Sequence, residues 1–193
     1  MYLYFYNNQN KKNMISDEVI ELQKLFYQTV NISDSDYKNR ILVLGIGNYL
    51  MGDEGVGVHC IHALSKVKLS DNVDIIDGGT GSFNLMPILS KYPLVVFIDA
   101  TMDGKPLGSI NVLYPKYAKD FPIVLSAHDV GLKDMIDALE FTNELPRIIL
   151  ITITIEEMRP MTIELSRTVQ NSIPKVVEKV IEILDAIQMT PKS

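Results

Sequence analysis

The sequence predicts an α/β fold: a three-layer sandwich whose mostly parallel five-stranded sheet carries one antiparallel edge strand and helices on both faces. Three observations predict it. From residue 41 onward, apolar runs of strand length alternate with stretches of helical period. The runs ILVL, LVVFI and IILITI are continuous rather than alternating, as suits strands covered on both faces. Only nine residues, with Gly104, Pro106 and Gly108 among them, separate a strand at 94–99 from one at 109–114. A parallel crossover needs about a dozen residues or more, so 109–114 should run antiparallel at an edge.

The chain of 193 residues is 47% hydrophobic and 22% charged, enough for one domain with a full core. A net charge of −6 argues against a nucleic-acid partner. One cysteine excludes an internal disulfide and points to a reducing compartment. MYLYFYNNQNKK lacks the charged start and apolar core of a secretory signal. The longest apolar runs, near 94–98 and 148–155, are too short to cross a bilayer. A cytoplasmic protein without membrane partners is expected.

Residues 1–40 read as an N-terminal extension, and 41–193 as the α/β domain. Within the extension, 17–30 fits one amphipathic helix, with Ser16 as N-cap and Val19, Leu22, Phe26 and Val30 on one face; NISDSDYKNR then reads as a linker. In the domain, strands are expected at about 41–46, 73–77, 94–99, 109–114 and 147–155, and helices at about 54–67, 82–91, 127–140 and 164–187. On the first helix, Val56, Cys60, Ala63, Leu64 and Val67 form the core stripe. His59 and His62 flank it and should face solvent. Cys60 lies within the stripe as a buried thiol, and the Lys175–Glu182 charges of the last helix read as a solvated face.

Residues 41–57, ILVLGIGNYLMGDEGVG, carry the most information. A buried strand enters a glycine-bent turn that ends in Asp53 and Glu54, where a helix begins. The turn is close to a dinucleotide fingerprint, but Leu50 stands where the third small residue belongs. Two carboxylates at a helix N-terminus suit the helix dipole and repel pyrophosphate. A cation or metal-bearing partner is the better guest. The plainer reading makes Asp53 a helix cap and Glu54 a first-turn acid.

In open α/β sheets the ligand crevice lies beyond the carboxyl ends of the strands. Glu54 follows the first strand there and Asp99 ends the third. The antiparallel edge strand brings the chain back up, so that His128 starts a descending helix at the same edge. Two carboxylates and an imidazole suit a borderline divalent ion such as nickel or zinc, with positions left for water or substrate. Taken alone, His128 reads equally as a surface histidine after a Ser126 cap, and Asp99 as a polar strand end. Asp77, Gly78, Gly79 and Thr80 end the second strand; they read as a turn, or as a floor on which a peptide lies. No H-E-x-x-H, G-x-S-x-G or Walker A sequence occurs.

GIGNYLMGDEGVG (45–57), DGGT (77–80), FIDA (97–100) and SAHDVGL (126–132) resemble the hydrogenase maturation endopeptidases, in order and in spacing. The similarity extends over about 41–187, and ITITIEEMRPMTIELS is similar to the family's last strand and loop. The resemblance implies an α/β endopeptidase that removes the C-terminal peptide of a nickel–iron hydrogenase large-subunit precursor once nickel is inserted. It implies that Glu54, Asp99 and His128 contact the metal, and that the nickel comes with the precursor rather than residing in the enzyme. The metal could polarise the scissile carbonyl or activate water, or Asp99 or Glu54 could act as general base. The extension 1–40 departs from the family pattern, and so does Thr154, which stands at a glycine position. The residues also admit a non-catalytic metal- or nucleotide-binding module on the same fold, or a protease of the spore-germination type.

Overall fold

The computed structural model describes residues 35–81, 83–116, 120 and 129–188, the side chains of 35, 129–133 and 188 excepted. The expected helix at 17–30 lies outside the described residues.

Five strands, β1 (Ile41–Ile46), β2 (Val73–Gly79), β3 (Leu94–Thr101), β4 (Ile110–Leu113) and β5 (Arg147–Thr154), form one sheet in the order β2-β1-β3-β5-β4. β1 is parallel to β2 and β3, and β3 is parallel to β5. β4 runs antiparallel to β5 at the edge, as the short connection requires. That connection turns through Gly104 and Gly108, at φ 74° and 79°. The chain moves from β1 to β2 on one side, then crosses to β3 on the other. The topological switch point therefore lies between β1 and β3.

Among the described residues four helices complete the layers: α1 (Val56–Leu64), α2 (Met86–Leu89), α3 (Asp129–Phe141) and α4 (Arg167–Gln188). Strand side chains alternate between the two faces. Ile41, Val43, Val96 and Ile98 meet Cys60, Leu64, Val176 and Val180 of α1 and α4. Leu42, Leu44, Val95 and Phe97 meet Leu89, Met135, Ile136 and Leu139 of α2 and α3. On α4 the buried residues Val169, Val176, Val180, Leu184 and Ile187 recur at helical spacing, while Lys175, Glu178 and Glu182 face water.

Three helices differ from expectation at their starts. The first opens as a 3-10 turn, Gly52–Gly55, before α1. Its stripe gains Ile61, and Val67 falls beyond the helix end, 36% exposed. The second is a 3-10 turn, Phe83–Leu85, followed by the single α turn of α2, with Pro87 near its start. The last begins three residues late because Ser166 Oγ accepts from Val169 N at 3.4 Å, the bond of an N-cap.

Residues 35–40, read as the end of a linker, are fastened to the amino edge of the sheet. Tyr37 packs edge-on against Tyr92 at 4.9 Å. Arg40 Nε and Nη2 donate to both oxygens of Asp74, at 2.6 and 2.5 Å, and Tyr92 Oη donates to Asp74 at 2.9 Å. The Arg40 hydrogen bonds hold Asp74 below the usual carboxylate range, against the upward push of burial. No helix among the described residues is long and apolar enough to cross a membrane.

Backbone approaches backbone closely where α1 meets the sheet. A Cβ on Gly57 would stand 2.2 Å from Ile46 O and 2.4 Å from Ile98 O. One on Gly45 would stand 2.3 Å from Gly57 O. The first turn of α1 thus rests on bare backbone of β1 and β3.

Gly57→Ala should cost about 3 kcal/mol, because neither carbonyl can retreat without disturbing a strand. Chemical denaturation measures it, and a loss under about 0.5 kcal/mol would contradict this contact. The Asp74 pairing makes a second prediction. A carboxyl whose folded pKa is depressed stabilises above its unfolded value of about 3.9 and loses that contribution as pH falls through the folded value. Asp74→Asn should therefore destabilise by about 1 kcal/mol at neutral pH. The difference from wild type should shrink once the pH drops below about 4. Urea midpoints across pH 2.5–7 (a range chosen to bracket the carboxylate titration) test both sign and window.

Candidate active site at the carboxyl edge

The turn after β1 folds back on itself to place Glu54. Gly47 adopts φ 142°, and a Cβ there would lie 2.1 Å from Glu54 O, so glycine is required. Glu54 is fully buried, and its Oε2 accepts a hydrogen bond from Asn48 N. The 3-10 turn that carries it packs on β3. Asp99 lies at the upper end of β3, fully buried, with Oδ1 accepting from Ala100 N at 2.7 Å. By strand alternation Asp99 shares the face of Val95 and Phe97, the face covered by α2 and α3.

The structure thus brings Glu54 and Asp99 to the switch point between β1 and β3, both removed from bulk water. Burying two carboxylates is costly, and a fold retains such groups where hydrogen bonds or a cation compensate. His128 lies outside the described residues. The helix that follows it, α3, starts at Asp129 and feeds β5 at the opposite end of the sheet through residues 142–146. Its first residue is therefore directed to the carboxyl edge, on the face that Asp99 shares.

Asp77, Gly78, Gly79 and Thr80 also sit at this edge, where β2 ends. Asp77, Gly45 and Ile98 form one row across β2, β1 and β3, and Asp99 is one residue beyond. Two strand spacings, about 10 Å, separate the β2 and β3 ends of that row. Asp77 Oδ1 accepts from Gly79 N at 2.9 Å, a local turn, while Oδ2 lies 3.5 Å from His62 Nε2 on α1. Gly79 has φ 51°. The four residues form the expected turn, half-exposed or exposed, with Asp77 leaning to the α1 side and Asp99 to the α3 side.

Asp53 has a different part from the helix cap expected of it. It is 3% exposed, accepts from Ser166 N at 2.5 Å, and faces Arg159 Nη2 at 3.7 Å. Asp53 therefore ties the Glu54 turn to the loop after β5, a link of 113 residues that local pattern does not display. The main chain signals it no better, since Arg159 and Ser166 lie in a loop without helical or strand period. Leu50 is 52% exposed, so it does not pack the helix onto the strand; Gly57 has that place.

His62 is exposed as expected. His59 is half-buried instead, stacked on Tyr49 at 4.7 Å, with Nε2 3.2 Å from Ile163 O. Burial holds it below its ordinary pKa, which the Ile163 carbonyl partly opposes and His62 reinforces. Burial also pushes the Cys60 thiol up to about 12, which leaves it an inert core group. Thr154 is buried, and its Oγ1 donates to Asp103 Oδ1 at 2.8 Å, holding the β3–β4 loop.

Among the described residues no group of three His, Cys, Asp or Glu side chains forms a metal cluster. Glu54 and Asp99 supply hard oxygen donors, and the nitrogen donor of the expected set, His128, lies outside those residues. Glu54 and Asp99, each with one oxygen accepting from a backbone N–H, supply the oxygen donor chemistry for a divalent ion brought to this edge.

Comparison with known proteins gives consistent matches. The profile of the family described as hydrogenase maturation protease matches residues 58–183, more than half of the chain. The hydrogenase 2 maturation protease of Escherichia coli K12 is 34% identical over 148 residues, covering 75% of this chain and 90% of that protein. The hydrogenase expression/formation protein HupD of Rhizobium leguminosarum bv. viciae is 32% identical over 153 residues, covering 75% and 74%. The solved structure of the hydrogenase maturating endopeptidase HYBD from E. coli superposes with a TM-score of 0.68 at 34% identity, covering 75% of this chain and 91% of that one. The crystal structure of a hydrogenase 2 maturation peptidase from Thaumarchaeota archaeon SCGC_AB-539-E09 gives 0.60 at 29% identity, covering 76% and 99%. Sequence and fold agree over 75% of the chain, and the chain belongs to the hydrogenase maturation protease family.

Proposed function

We propose that this peptidase removes the C-terminal peptide of a nickel–iron hydrogenase large-subunit precursor, in the cytoplasm, after nickel has been inserted. The observation that carries the reading is the pair of buried carboxylates, Glu54 and Asp99, at the switch point of a maturation-protease fold. In this reading Glu54, Asp99 and His128 contact the nickel that the precursor brings, and the enzyme holds no metal of its own between turnovers. Asp77, Gly78, Gly79 and Thr80 form the floor for the peptide next to the scissile bond. A precursor without nickel offers the carboxylates no counter-charge, so the segment is held poorly and is not cut. A carboxylate at this edge serves in its ionised form, whether it ligates the metal or takes a proton from the attacking water. The buried, unreactive Cys60 offers no thiol nucleophile.

The test combines purified enzyme with nickel-loaded and nickel-free precursor and follows loss of mass at the precursor's C-terminus. Cleavage is expected only with nickel. Asp99→Asn, Glu54→Gln and His128→Ala should each lower the rate by about 100-fold or more, with thermal midpoints showing retained folds. Normal processing by all three would remove these residues from the mechanism, and equal cleavage of both precursors would remove the gate. Failure to cut either precursor would favour the binding module.

A further inference from the structure

Two loops are joined into a single lip beside Glu54. Met51 and Thr162 form an isolated parallel bridge. Gly52 N donates to Thr162 O at 2.7 Å, Thr162 N to Leu50 O at 3.1 Å, and Arg159 N to Met51 O at 3.1 Å. Asp53 fastens the same lip from within, through Ser166 N and Arg159. This is a rigid, hydrogen-bonded edge made from the chain after β1 and the chain after β5.

What the lip displays is apolar. Leu50 is 52% exposed, Met161 90%, Ile163 43% and Tyr49 36%. Tyr49 and Ile163 are linked through His59, and Leu50 O accepts from N–H of Thr162, which stands between Met161 and Ile163, so the four residues share one edge. Only three other large hydrophobics among the described residues are this exposed, Val67, Phe83 and Phe141, and none belongs to the lip. Met161 is the sharpest member. Its φ is 58°, a conformation that costs a non-glycine residue about 1 kcal/mol or more. The side chain recovers nothing inside the molecule, since it stands in water. A contiguous apolar patch on a fixed frame marks an interaction surface.

We propose that this lip docks the folded body of the protein substrate, through an apolar patch that the precursor presents next to its scissile segment. The proposal rests on the function proposed above. Continuity selects the occupant. The lip starts one residue after Asn48, whose N–H holds Glu54, and it includes Asp53 beside Glu54. A polypeptide whose peptide bond reaches Glu54 and Asp99 must pass over this edge, and the domain behind that segment comes to rest on it. Apolar contact adds affinity without asking for a particular cleavage sequence, and affinity of this kind concentrates in a few well-placed side chains.

Leu50→Ser with Met161→Asn tests it, since asparagine tolerates the left-handed backbone at 161. Binding of nickel-loaded precursor is measured by biolayer interferometry with both changes placed in the non-cleaving Asp99→Asn protein, and KM is measured in the active enzyme. Binding should weaken and KM rise about 10-fold, with the thermal midpoint kept. Phe141→Ser, which removes an equally exposed apolar group from the end of α3, should leave both unchanged. Binding and KM within twofold of wild type would overturn the proposal. So would a change in molar mass by light scattering, which would make the patch a self-interface. Failure of the wild type to cut the precursor would count against the function itself, while the binding arm would still decide the lip.

Discussion

The absence of two side chains governs this molecule. Gly45 on β1 and Gly57 on α1 let a helix start directly on the carbonyls of β1 and β3. A methyl group at either position would stand within 2.4 Å of a backbone oxygen, so helix and strands would have to move apart. The 3-10 turn would move with the helix, and Glu54 would leave the edge where Asp99 lies. The switch point is an opening in the sheet's covering layers, and close backbone contact narrows that opening until two carboxylates from separate elements are buried together.

Asp53 and Glu54 are adjacent and both buried, yet they face different partners. Glu54 turns back to Asn48 N and stays at the edge. Asp53 reaches across to Ser166 N and Arg159. A 3-10 turn makes this division possible, since its neighbouring side chains point in well-separated directions. The proposed metal contact thus stands on a support that is itself charged and hydrogen-bonded. A change at Asp53 would reach the site through geometry rather than through lost ligand chemistry.

Much of this was legible in the sequence, for identifiable reasons. Continuous apolar runs mark β1, β3 and β5 because those strands are covered on both faces, and loop length alone assigns β4 its direction. The placement of Glu54 and Asp99 at one sheet edge followed from topology, since Glu54 opens the helix after β1 and Asp99 lies near the end of β3. What escaped depends on contacts distant in sequence or on local chain geometry. The bridge from Met51 to Thr162 and the Asp53–Ser166 bond leave no periodic trace. The half-burial of His59 depends on Tyr49 and Ile163 closing over it. The late start of α4 was set by the hydroxyl of Ser166, a cap that the helical period of the following residues does not single out.

The faces of the sheet give the edge a direction. Asp77 leans toward α1 and His62, and Asp99 toward the side of α3. Their side chains leave opposite faces of the sheet, and two strand spacings, about 10 Å, separate the strands that carry them. An extended peptide advances about 3.3 Å per residue, so about three residues span that distance. A substrate laid along the edge would meet the Asp77 turn two or three residues away from the bond held between Glu54 and Asp99. Recognition and cleavage would then be divided between two carboxylate positions carried on separate strands. The sheet does what either element alone cannot: it fixes the interval between them, because strand spacing is set by backbone hydrogen bonds and tolerates little change.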